Sequence, residues 1–587
     1  MIFGKHINKY YLKYGWILLL GIIALVAVDY FQLKIPEIYG TIINGLDPTT
    51  EFNLTKELLS DLCIDMLIVI AVLVVGRCLW RLCFFGSAIK VETDMRKTMF
   101  NHCKDLSQEF YQKNKVGNMM SLFTNDIETI NECFGDGVLM FFDAVVLGAM
   151  AIVKMYKLNP MLTLLALIPM ALMGVMSVIV GKHMREKWRQ RQEAFSELSD
   201  FSQESFSGIA VIKAFVKEVK EIMAFRKVNK ENEIANVAFT KASVLLNVCV
   251  TLFIQAVIMI ILGVGGYLAY IGEFTSADII MFIGYFNSVI WPIMAISRLM
   301  EMGSRGSASL KRISDLLNTP VDVKDSESVR TDVTDIKGTI EFKNLTFRYP
   351  GADYDALENV SFKIEAGENI GIIGKTGAGK TTLVDLILRT YNVPNDTIFI
   401  DGYDINTLPI KLVRQYSAYV PQDNFLFSDT IERNIAFAYE GVAKIDDIQT
   451  VAKLADLHGN IEDFQDGYQT MLGERGVTIS GGQKQRTSIA RALLKDASIL
   501  ILDDSVSAVD TKTEQTILTN LKQTRKGKTT ILIAHRITTI QNMDKVLFVD
   551  DGKVLAFGKH QDLINSCEDY RKMVELQKLE DEYGGEA

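Results

Sequence analysis

The chain has 587 residues, of which 49% are hydrophobic and 23% are charged, and its formal net charge at pH 7 is −9. That length is enough for several domains, and the acidic balance argues against a nucleic-acid partner, because such binders usually carry a basic face. The seven cysteines are odd in number and include no C-x-x-C pair, which argues against a disulfide framework and against a zinc site.

The first half of the chain holds apolar stretches long enough to cross a bilayer, which takes about 20 residues each. Six spans are predicted, at about residues 14–36, 62–86, 136–157, 161–181, 244–271 and 277–302. Lysine and arginine concentrate in the N-terminal arm and in the connections after the second and fourth spans. The positive-inside rule therefore predicts a multi-pass protein of the cell membrane, in contact with lipid, with both termini cytoplasmic.

The two long cytoplasmic connections contain few turn-forming residues. We expect the spans to continue beyond the membrane as helices and to reverse direction at short transverse helices. The predicted reversals are residues 114–122, which include Gly117, and residues 204–215, which include Gly208. A solvated loop is the alternative for both.

Ionisable and aromatic side chains within the predicted spans admit two interpretations. Charged groups are costly in lipid, so they are expected to face the bundle interior, water or the interface. They could contact polar or cationic cargo or pair with one another, and their roles stay open: Asp29, Lys34, Glu37, Asp143, Lys154 and Arg298. Aromatic residues of the sixth span could line an apolar cavity or face lipid: Phe282, Tyr285, Phe286 and Trp291.

The second half of the chain alternates short β-rich runs with helical stretches, as an α/β domain does. Within it, GKTGAGKT at residues 374–381 fits the P-loop pattern G-x-x-x-x-G-K-T, after an apolar strand and before a helix-like segment. Glycines let backbone N–H groups surround phosphates, and a helix N-terminus favours their charge. The predicted nucleotide contacts are Gly374, Lys375, Thr376, Gly377, Ala378, Gly379, Lys380, Thr381 and Thr382.

Metal and adenine contacts are predicted on both sides of that loop. Lys380 is expected to reach the β- and γ-phosphates of ATP, and the Thr381 hydroxyl is expected to join Mg²⁺. The apolar run at 499–502 leads to Asp503, which is predicted to hold the metal, and to Asp504, at the position that orients the attacking water. Tyr349 lies upstream, where an aromatic face could stack on adenine, although ordinary packing is the alternative.

Further motifs carry a resemblance to a family. The segment ISGGQ at 479–483 resembles the signature motif of ATP-binding cassette (ABC) proteins. Gln422 in VPQD, GERG at 473–476, SAVD at 507–510 and His535 in IAHR match the family's other motifs in order and spacing. With six spans ahead of them, the whole chain resembles an exporter half-transporter that uses ATP and Mg²⁺.

That resemblance implies a domain division and a fold class. It implies a six-span α-helical transmembrane domain of the type I ABC exporter with long cytoplasmic helical extensions, and an α/β P-loop NTPase domain of ABC type. The corresponding boundaries are a transmembrane domain at 1–318, a linker at 319–337, a nucleotide-binding domain at 338–579 and an acidic tail at 580–587.

The resemblance also implies roles for individual residues. The signature of one subunit binds the γ-phosphate of nucleotide held by the opposite subunit, so two cassettes enclose two ATP molecules; the signature residues here are Ser480, Gly481, Gly482 and Gln483. Gln422 would contribute an oxygen to Mg²⁺ or to water, and His535 would hydrogen-bond the γ-phosphate. Asp510 would cross the dimer interface.

Asp504 departs from the family pattern, which has glutamate at this position. The side chain is one methylene shorter, so its carboxylate is retracted by about 1.5 Å, and a misplacement of ~1 Å can cost ~100-fold in rate. The chain therefore resembles the degenerate-site subunit of heterodimeric bacterial multidrug exporters, whose partner is a different half-transporter with glutamate. The alternative is that aspartate still works after a small backbone adjustment.

The function expected from these observations is ATP-driven export of small amphiphilic compounds by alternating access. Export of lipid or peptide by the same engine is one alternative. A nucleotide-gated channel or regulator that does not pump is another. Asp504 favours this alternative, whereas the intact signature, Gln422 and His535 argue against it.

Overall fold

Two sets of elements make up the structure, a computed structural model that describes residues 4–46, 55–326, 329–473, 476 and 478–584. The chain divides into a helical unit, Met1–Lys104 with Val116–Thr319, and an α/β unit, Asp105–Lys115 with Pro320–Ala587. The short segment between 105 and 115 therefore belongs with the α/β unit, although it lies within the first half of the sequence.

Long helices dominate the helical unit. In chain order its helices are α1 (Lys5–Lys13), α2 (Gly15–Gln32), α3 (Lys34–Leu46), α4 (Lys56–Cys103), α6 (Val116–Ser121), α7 (Ile127–Phe134), α8 (Asp136–Leu158), α9 (Pro160–Ser207), α10 (Ile209–Ala214), α11 (Glu218–Tyr270) and α12 (Ser276–Asn318). A π-helical turn, Leu122–Asp126, joins α6 to α7. The helix α5 (Gln108–Lys113) is the part of this half that belongs to the α/β unit.

Six helical stretches of the described residues are long and apolar enough to cross a membrane: Gly15–Leu46, Lys56–Cys103, Val116–Leu158, Pro160–Ser207, Glu218–Tyr270 and Ser276–Asn318. The predicted six-span architecture is confirmed. With 53 residues, α11 spans about 80 Å at 1.5 Å per residue, whereas the hydrocarbon core of a bilayer is about 30 Å thick. The helices are therefore long enough to extend well beyond the membrane.

Local sequence signals explain where these helices begin. The side chain of Asn159 accepts a hydrogen bond from the backbone N–H of Leu162 (2.9 Å), and Pro160 occupies the first turn of α9. Thr275 and Asp278 form a capping box at the start of α12. Each cap pairs N–H groups that a helix start leaves without partners.

The first interruption between long helices begins earlier than the segment predicted for the first reversal. The predicted segment 114–122 contains α6 and Gly117, but the chain leaves α4 at Lys104 and forms α5 before Asn114, which is extended. Gly117 lies inside α6 and marks no turn, so the glycine was a misleading signal. The second prediction, 204–215, contains the short helix α10, which begins after Gly208.

Apolar packing holds the helical unit together. Helix α9 packs along α11, α12 along α8, and α2 along α4. Aromatic residues of α12 are part of a buried cluster with α8, α9 and α11, so the lipid contact considered for them does not apply: Phe282, Tyr285 and Phe286. Phe286 also lines an apolar pocket together with Met170 and Phe253. Trp291 differs from the three buried aromatic residues because 43% of its surface is exposed.

Two sheets form the α/β unit. A four-stranded antiparallel sheet has the order β2-β1-β4-β5 and consists of β1 (Ile340–Phe347), β2 (Leu357–Ile364), β4 (Ile398–Ile400) and β5 (Tyr403–Asp404). A six-stranded sheet has the order β10-β9-β3-β8-β7-β6 and consists of β3 (Asn369–Ile373), β6 (Ser417–Val420), β7 (Ile499–Asp503), β8 (Thr529–Ile533), β9 (Lys545–Asp550) and β10 (Lys553–Gly558). All its pairs are parallel except β9 with β10.

Helices surround the six-stranded sheet. They are α13 (Lys380–Ile387), α14 (Ile410–Gln415), α15 (Ile431–Ala436), α16 (Ile445–Leu454), α17 (His458–Glu462), α18 (Gly481–Leu494), α19 (Thr511–Thr524), α20 (Ile537–Ile540), α21 (His560–Ser566) and α22 (Glu568–Gly584). Strands β7 and β8 are buried along their whole length, which explains the apolar runs at 499–502 and 531–533 within them. The mixed α/β fold is confirmed; α22 continues into the acidic tail through residue 584, and residues 585–587 lie outside the described part.

Candidate functional site

The P-loop connects β3 to α13 and depends on three glycines. Gly377 and Gly379 have φ angles of +83° and +95°, a region that L side chains rarely adopt. A Cβ at Gly374 would lie 1.9 Å from the carbonyl oxygen of Val549 on β9. The loop can therefore form only with glycine at 374, and it presents its backbone at the N-terminus of α13, where phosphate is favoured.

Lys380 is folded across this loop. Its ammonium group is buried and donates hydrogen bonds to the carbonyl oxygens of Gly374 and Lys375, each at 2.8 Å. Burial lowers the pKa of Lys380, and the carboxylates of Asp503 and Asp504 oppose that shift. A phosphate group is a stronger acceptor for this cation than two neutral carbonyls.

Asp503 ends β7 beside Lys380 and is 2% exposed. The Thr381 hydroxyl interacts with its carboxylate, whose Oδ2 atom has no hydrogen-bond partner in the described structure. Burial raises the pKa of Asp503; the Thr381 contact opposes the shift and Asp504 adds to it. A buried carboxylate with a spare oxygen beside a hydroxyl fits Mg²⁺, which prefers oxygen ligands.

Asp504 follows in a strained conformation, with φ at +47°. Its backbone N–H donates to the carbonyl oxygen of Ile533 (3.0 Å), and its own carbonyl accepts from Ser507 Oγ (2.9 Å). One carboxylate oxygen lies 3.9 Å from Nε2 of His535. The ends of β7 and β8, which are adjacent in the sheet, thus bring together Asp504 and His535, two of the three residues predicted for catalysis beside Gln422.

The signature segment caps α18. Ser480 accepts a hydrogen bond from the N–H of Gln483 (3.3 Å), and the Gln483 side chain accepts from the N–H of Ser480 (3.0 Å). Ser480 and Gly481 are exposed, so the start of this 14-residue helix is open to an anion. Residues 474, 475 and 477, which belong to or follow GERG, lie outside the described part of the chain.

Two family models match the chain. The ABC transporter transmembrane region matches residues 18–293, and the ABC transporter model matches residues 357–507. YheI of Bacillus subtilis (strain 168), a probable multidrug resistance ABC transporter ATP-binding/permease protein, is 34% identical over 580 residues, which cover 98% of this chain and 97% of YheI. The chain belongs to the ABC transporter family.

Another relative and a solved structure agree. The multidrug resistance-like ATP-binding protein MdlA of Escherichia coli (strain K12) is 33% identical over 574 residues, covering 97% of this chain and 96% of MdlA. The structure of a bacterial Atm1-family ABC exporter with ATP bound has a TM-score of 0.76 over 97% of this chain and 99% of that one, at 24% identity. At 24% identity, the likeness to the Atm1-family structure shows the type I exporter fold alone. The family models and the two relatives show that the chain is a multi-pass membrane transporter with an ATPase domain.

Other predicted residues of this ABC transporter lie near the site in different settings. Asp510 caps α19 by accepting from the N–H groups of Lys512 (3.1 Å) and Thr513 (3.0 Å), and these bonds lower its pKa. Its reach across a dimer interface stays a prediction. Gln422 is exposed in the loop that follows β6.

Tyr349 contacts the P-loop helix directly. Its hydroxyl donates to Oγ1 of Thr382 (2.9 Å), and its ring meets Phe347 and Tyr391 edge-on, at 5.1 Å from each. Tyr391 in turn donates to Gln112 Oε1 on α5 (2.8 Å). The pair of tyrosines therefore connects α5 to α13, and stacking of Tyr349 on adenine stays a prediction.

Two residues that the sequence analysis missed support the site. Gln485 is 6% exposed; its Oε1 accepts from the N–H of Ala508 (3.0 Å) and its Nε2 donates to the carbonyl of Asp504 (3.4 Å). The hydroxyl of Tyr419 on β6 interacts with Asp503. The sequence offered one signal for Gln485: it is a polar residue at a position on the buried face of α18.

Proposed function

We propose that this chain is one half of an ATP-driven exporter of amphiphilic compounds and that it pairs with a different half-transporter. Its own nucleotide site would be the weaker of two, and its signature segment would complete the stronger site. Support for the export of such compounds comes from the relatives named for multidrug resistance. Support for the pairing comes from Asp504.

The observation that carries the proposal is how firmly the backbone of Asp504 is fixed. Its N–H is bonded to Ile533, and its carbonyl accepts from both Ser507 and Gln485. A shorter side chain could compensate only if the backbone advanced toward the nucleotide, and that movement would break these bonds. The carboxylate therefore stays retracted by about 1.5 Å relative to glutamate, far enough to slow hydrolysis ~100-fold.

The remaining residues are suited to holding ATP. Lys380 would exchange two loop carbonyls for phosphate oxygens, and the P-loop N–H groups would surround the phosphates. Thr381 and Asp503 would hold Mg²⁺, which when bound neutralises phosphate charge. His535 would donate a hydrogen bond to the γ-phosphate, from a position beside Asp504.

Transport would follow from closure of two cassettes on ATP, by alternating access with both termini in the cytoplasm. ATP can drive the change only through different affinities for the two conformations. A shift from 1:99 to 99:1 requires about 5.5 kcal/mol. The hydrogen bond between Tyr391 and Gln112 links helix α5 to the rest of the α/β unit.

Two measurements test the pairing. Purification from the native membrane, followed by mass spectrometry, should recover a second half-transporter that has glutamate directly after the aspartate corresponding to Asp503. Asp504→Glu should raise ATP hydrolysis by the purified chain at least about tenfold, whereas Asp504→Asn, the matched control, should not. Full steady-state turnover by the unmodified chain alone, with equal cleavage in both pockets, would contradict the pairing.

Reconstituted vesicles test the export. Uptake of an amphiphilic dye into inside-out vesicles should exceed equilibrium and should require ATP. A channel would only equilibrate the dye, and a regulator would not move it. Either result would contradict export while leaving ATP binding intact.

A further inference from the structure

A pair of carboxyl groups lies inside the helical unit, between α2 and α8. Asp29 on α2 is 2% exposed, and its Oδ2 atom is buried with no hydrogen-bond partner among the described residues. Its carboxyl group lies close enough to that of Asp143 on α8 for a hydrogen-bond-type interaction. Two carboxylates approach this closely in a low-dielectric interior only when a positive charge or a proton lies between them.

An aromatic ring borders this pair. Nε1 of Trp291 on α12 donates to Oδ2 of Asp143 at 2.7 Å, which fixes the edge of the indole ring. The ring itself is 43% exposed. Tryptophan is the best aromatic partner for a cation within about 6 Å of its face. A carboxylate and a tryptophan held together in this way match the chemistry of an organic cation.

The charges near the pair balance only if the two carboxyl groups share a proton. Arg77 on α4 interacts electrostatically with both carboxyl groups, but it is exposed and its guanidinium donates to Oε1 of Gln32 (3.3 Å). With one shared proton, one carboxylate and one guanidinium remain; replacing that proton requires another positive charge. Glu37, another carboxylate of the spans, is satisfied because it accepts hydrogen bonds from both Lys154 and Tyr285 (3.0 Å for Tyr285).

We propose that Asp29, Asp143 and Trp291 form a subsite for the charged group of a lipophilic organic monocation. The ligand's positive charge lies between the carboxyl groups and the indole face and takes the place of the proton that the pair otherwise shares. Asp143 and Trp291 are partly exposed, and charged groups of membrane helices face water or a bundle interior, so the cation reaches the pair from a hydrated face. As a statement about cargo, this inference rests on the proposed export function.

Equilibrium binding tests the subsite without ATP. All three residues belong to one chain, so binding can be measured on the full-length protein alone, in nanodiscs of zwitterionic lipid. The probe is radiolabelled tetraphenylphosphonium. Triphenylphosphine oxide is the neutral comparison. Asp29→Asn and Asp143→Asn should weaken binding of the cation about ten- to a hundredfold and should leave binding of the neutral compound unchanged. Trp291→Leu should weaken cation binding several-fold, and Trp291→Phe less.

Arg77→Gln separates a binding role from a structural one. Removing this positive charge should tighten binding of the cation several-fold, whereas a purely structural ion cluster would lose stability and gain nothing. Asp136→Asn on the same helix α8 is the matched control and should change neither affinity. Equal losses for both probes, unchanged cation affinity in both aspartate variants, or weaker binding in Arg77→Gln would each overturn the subsite.

The outcomes for subsite and export remain distinct. Selective cation binding together with no ATP-dependent uptake would overturn the proposed export and support the subsite. ATP-dependent uptake of both probes with no effect of the aspartate variants would support the proposed export and overturn the subsite. If Asp29→Asn fails to fold, the half-buried Asp143 and the exposed Arg77 still decide the result.

Discussion

The substitution Gly374→Ala adds one methyl group to the P-loop, at a place where the backbone leaves no room for it. The new Cβ would lie 1.9 Å from the carbonyl oxygen of Val549 and 3.0 Å from its carbonyl carbon. Both are backbone atoms of β9, the strand that pairs with β3 through Ile373 and Phe548. No side-chain rotation can relieve the overlap, so the two strands must separate.

The cost of that separation is set by the overlap. A carbon and an oxygen that are not bonded keep about 3.2 Å apart, so β3 and β9 would move apart by about 1.3 Å. Overpacking alone costs about 1–3 kcal/mol, and each ladder hydrogen bond lost adds about 1 kcal/mol. A total loss of at least about 3 kcal/mol in the free energy of unfolding is expected if the strands separate. If the loop distorts instead, the same free energy corresponds to a loss of more than about 100-fold in ATP affinity.

Gly377→Ala is the matched control. Gly377 has φ at +83° but no atom within 4 Å of an added Cβ, so the change costs only backbone strain of about 1–2 kcal/mol. Titration with a fluorescent ATP analogue and thermal unfolding of the full chain in detergent measure both variants. The steric reasoning is refuted if Gly374→Ala binds nucleotide like the unmodified chain, or if Gly377→Ala is the more damaging change.

Three further substitutions have defined outcomes. Gln485→Met keeps the volume but removes the hydrogen bonds to Ala508 and Asp504, so thermal unfolding should show a loss of about 1–2 kcal/mol and ATP hydrolysis should fall. Burial raises the pKa of Asp385 to about 6, so the folded state loses stability as pH rises from the unfolded value near 3.8 through 6. Asp385→Asn should therefore stabilise the protein by about 1–3 kcal/mol above pH 6, and the gain should shrink toward pH 4 in unfolding scans. Tyr391→Phe removes the hydrogen bond to Gln112 and should reduce stimulation of ATP hydrolysis by transported compounds while changing nucleotide affinity little.

Each of these expectations has a control. Exposed Asp353 is the comparison for Asp385, and a pH-independent gain in Asp385→Asn would contradict the burial argument. Unchanged melting of Gln485→Met would show that Ala508 finds another partner. Full stimulation in Tyr391→Phe would show that its hydroxyl plays no part in coupling α5 to the cassette.

The sequence was sufficient where the chemistry is local. The P-loop needs eight consecutive residues. Asp503 follows the apolar run 499–502 and His535 follows the apolar run 531–534, so parallel pairing of β7 with β8 brings these residues together. The six membrane spans likewise follow from length and composition. These features depend on short-range order and on the rule that chemistry gathers at the carboxyl ends of parallel strands.

The sequence was insufficient where contacts depend on which helix faces which. Span six is apolar on most sides, so its periodicity could not assign Phe282 to the core and Trp291 to an exposed face. The approach of Asp29 to Asp143 joins positions more than one hundred residues apart in the chain. Gly117 misplaced the first reversal because a glycine in a helix and a glycine in a turn look alike without their neighbours.

The hydrogen bonds of Gln485 join two parts of the cassette that the proposed pairing assigns to different nucleotides. The signature at the start of α18 would contact ATP held by the partner, whereas Asp504 belongs to this chain's own site. Gln485 lies one turn beyond Ser480 on the same helix, so a rotation of α18 moves both. A movement of about 1 Å would break the 3.0 Å bond to Ala508, and the same distance at Asp504 changes a hydrolysis rate ~100-fold. Nucleotide binding at the stronger site would therefore change the rate of ATP hydrolysis at the weaker site through the side-chain amide of Gln485. Conversely, nucleotide bound at the weaker site would affect the stronger site even though it is hydrolysed slowly.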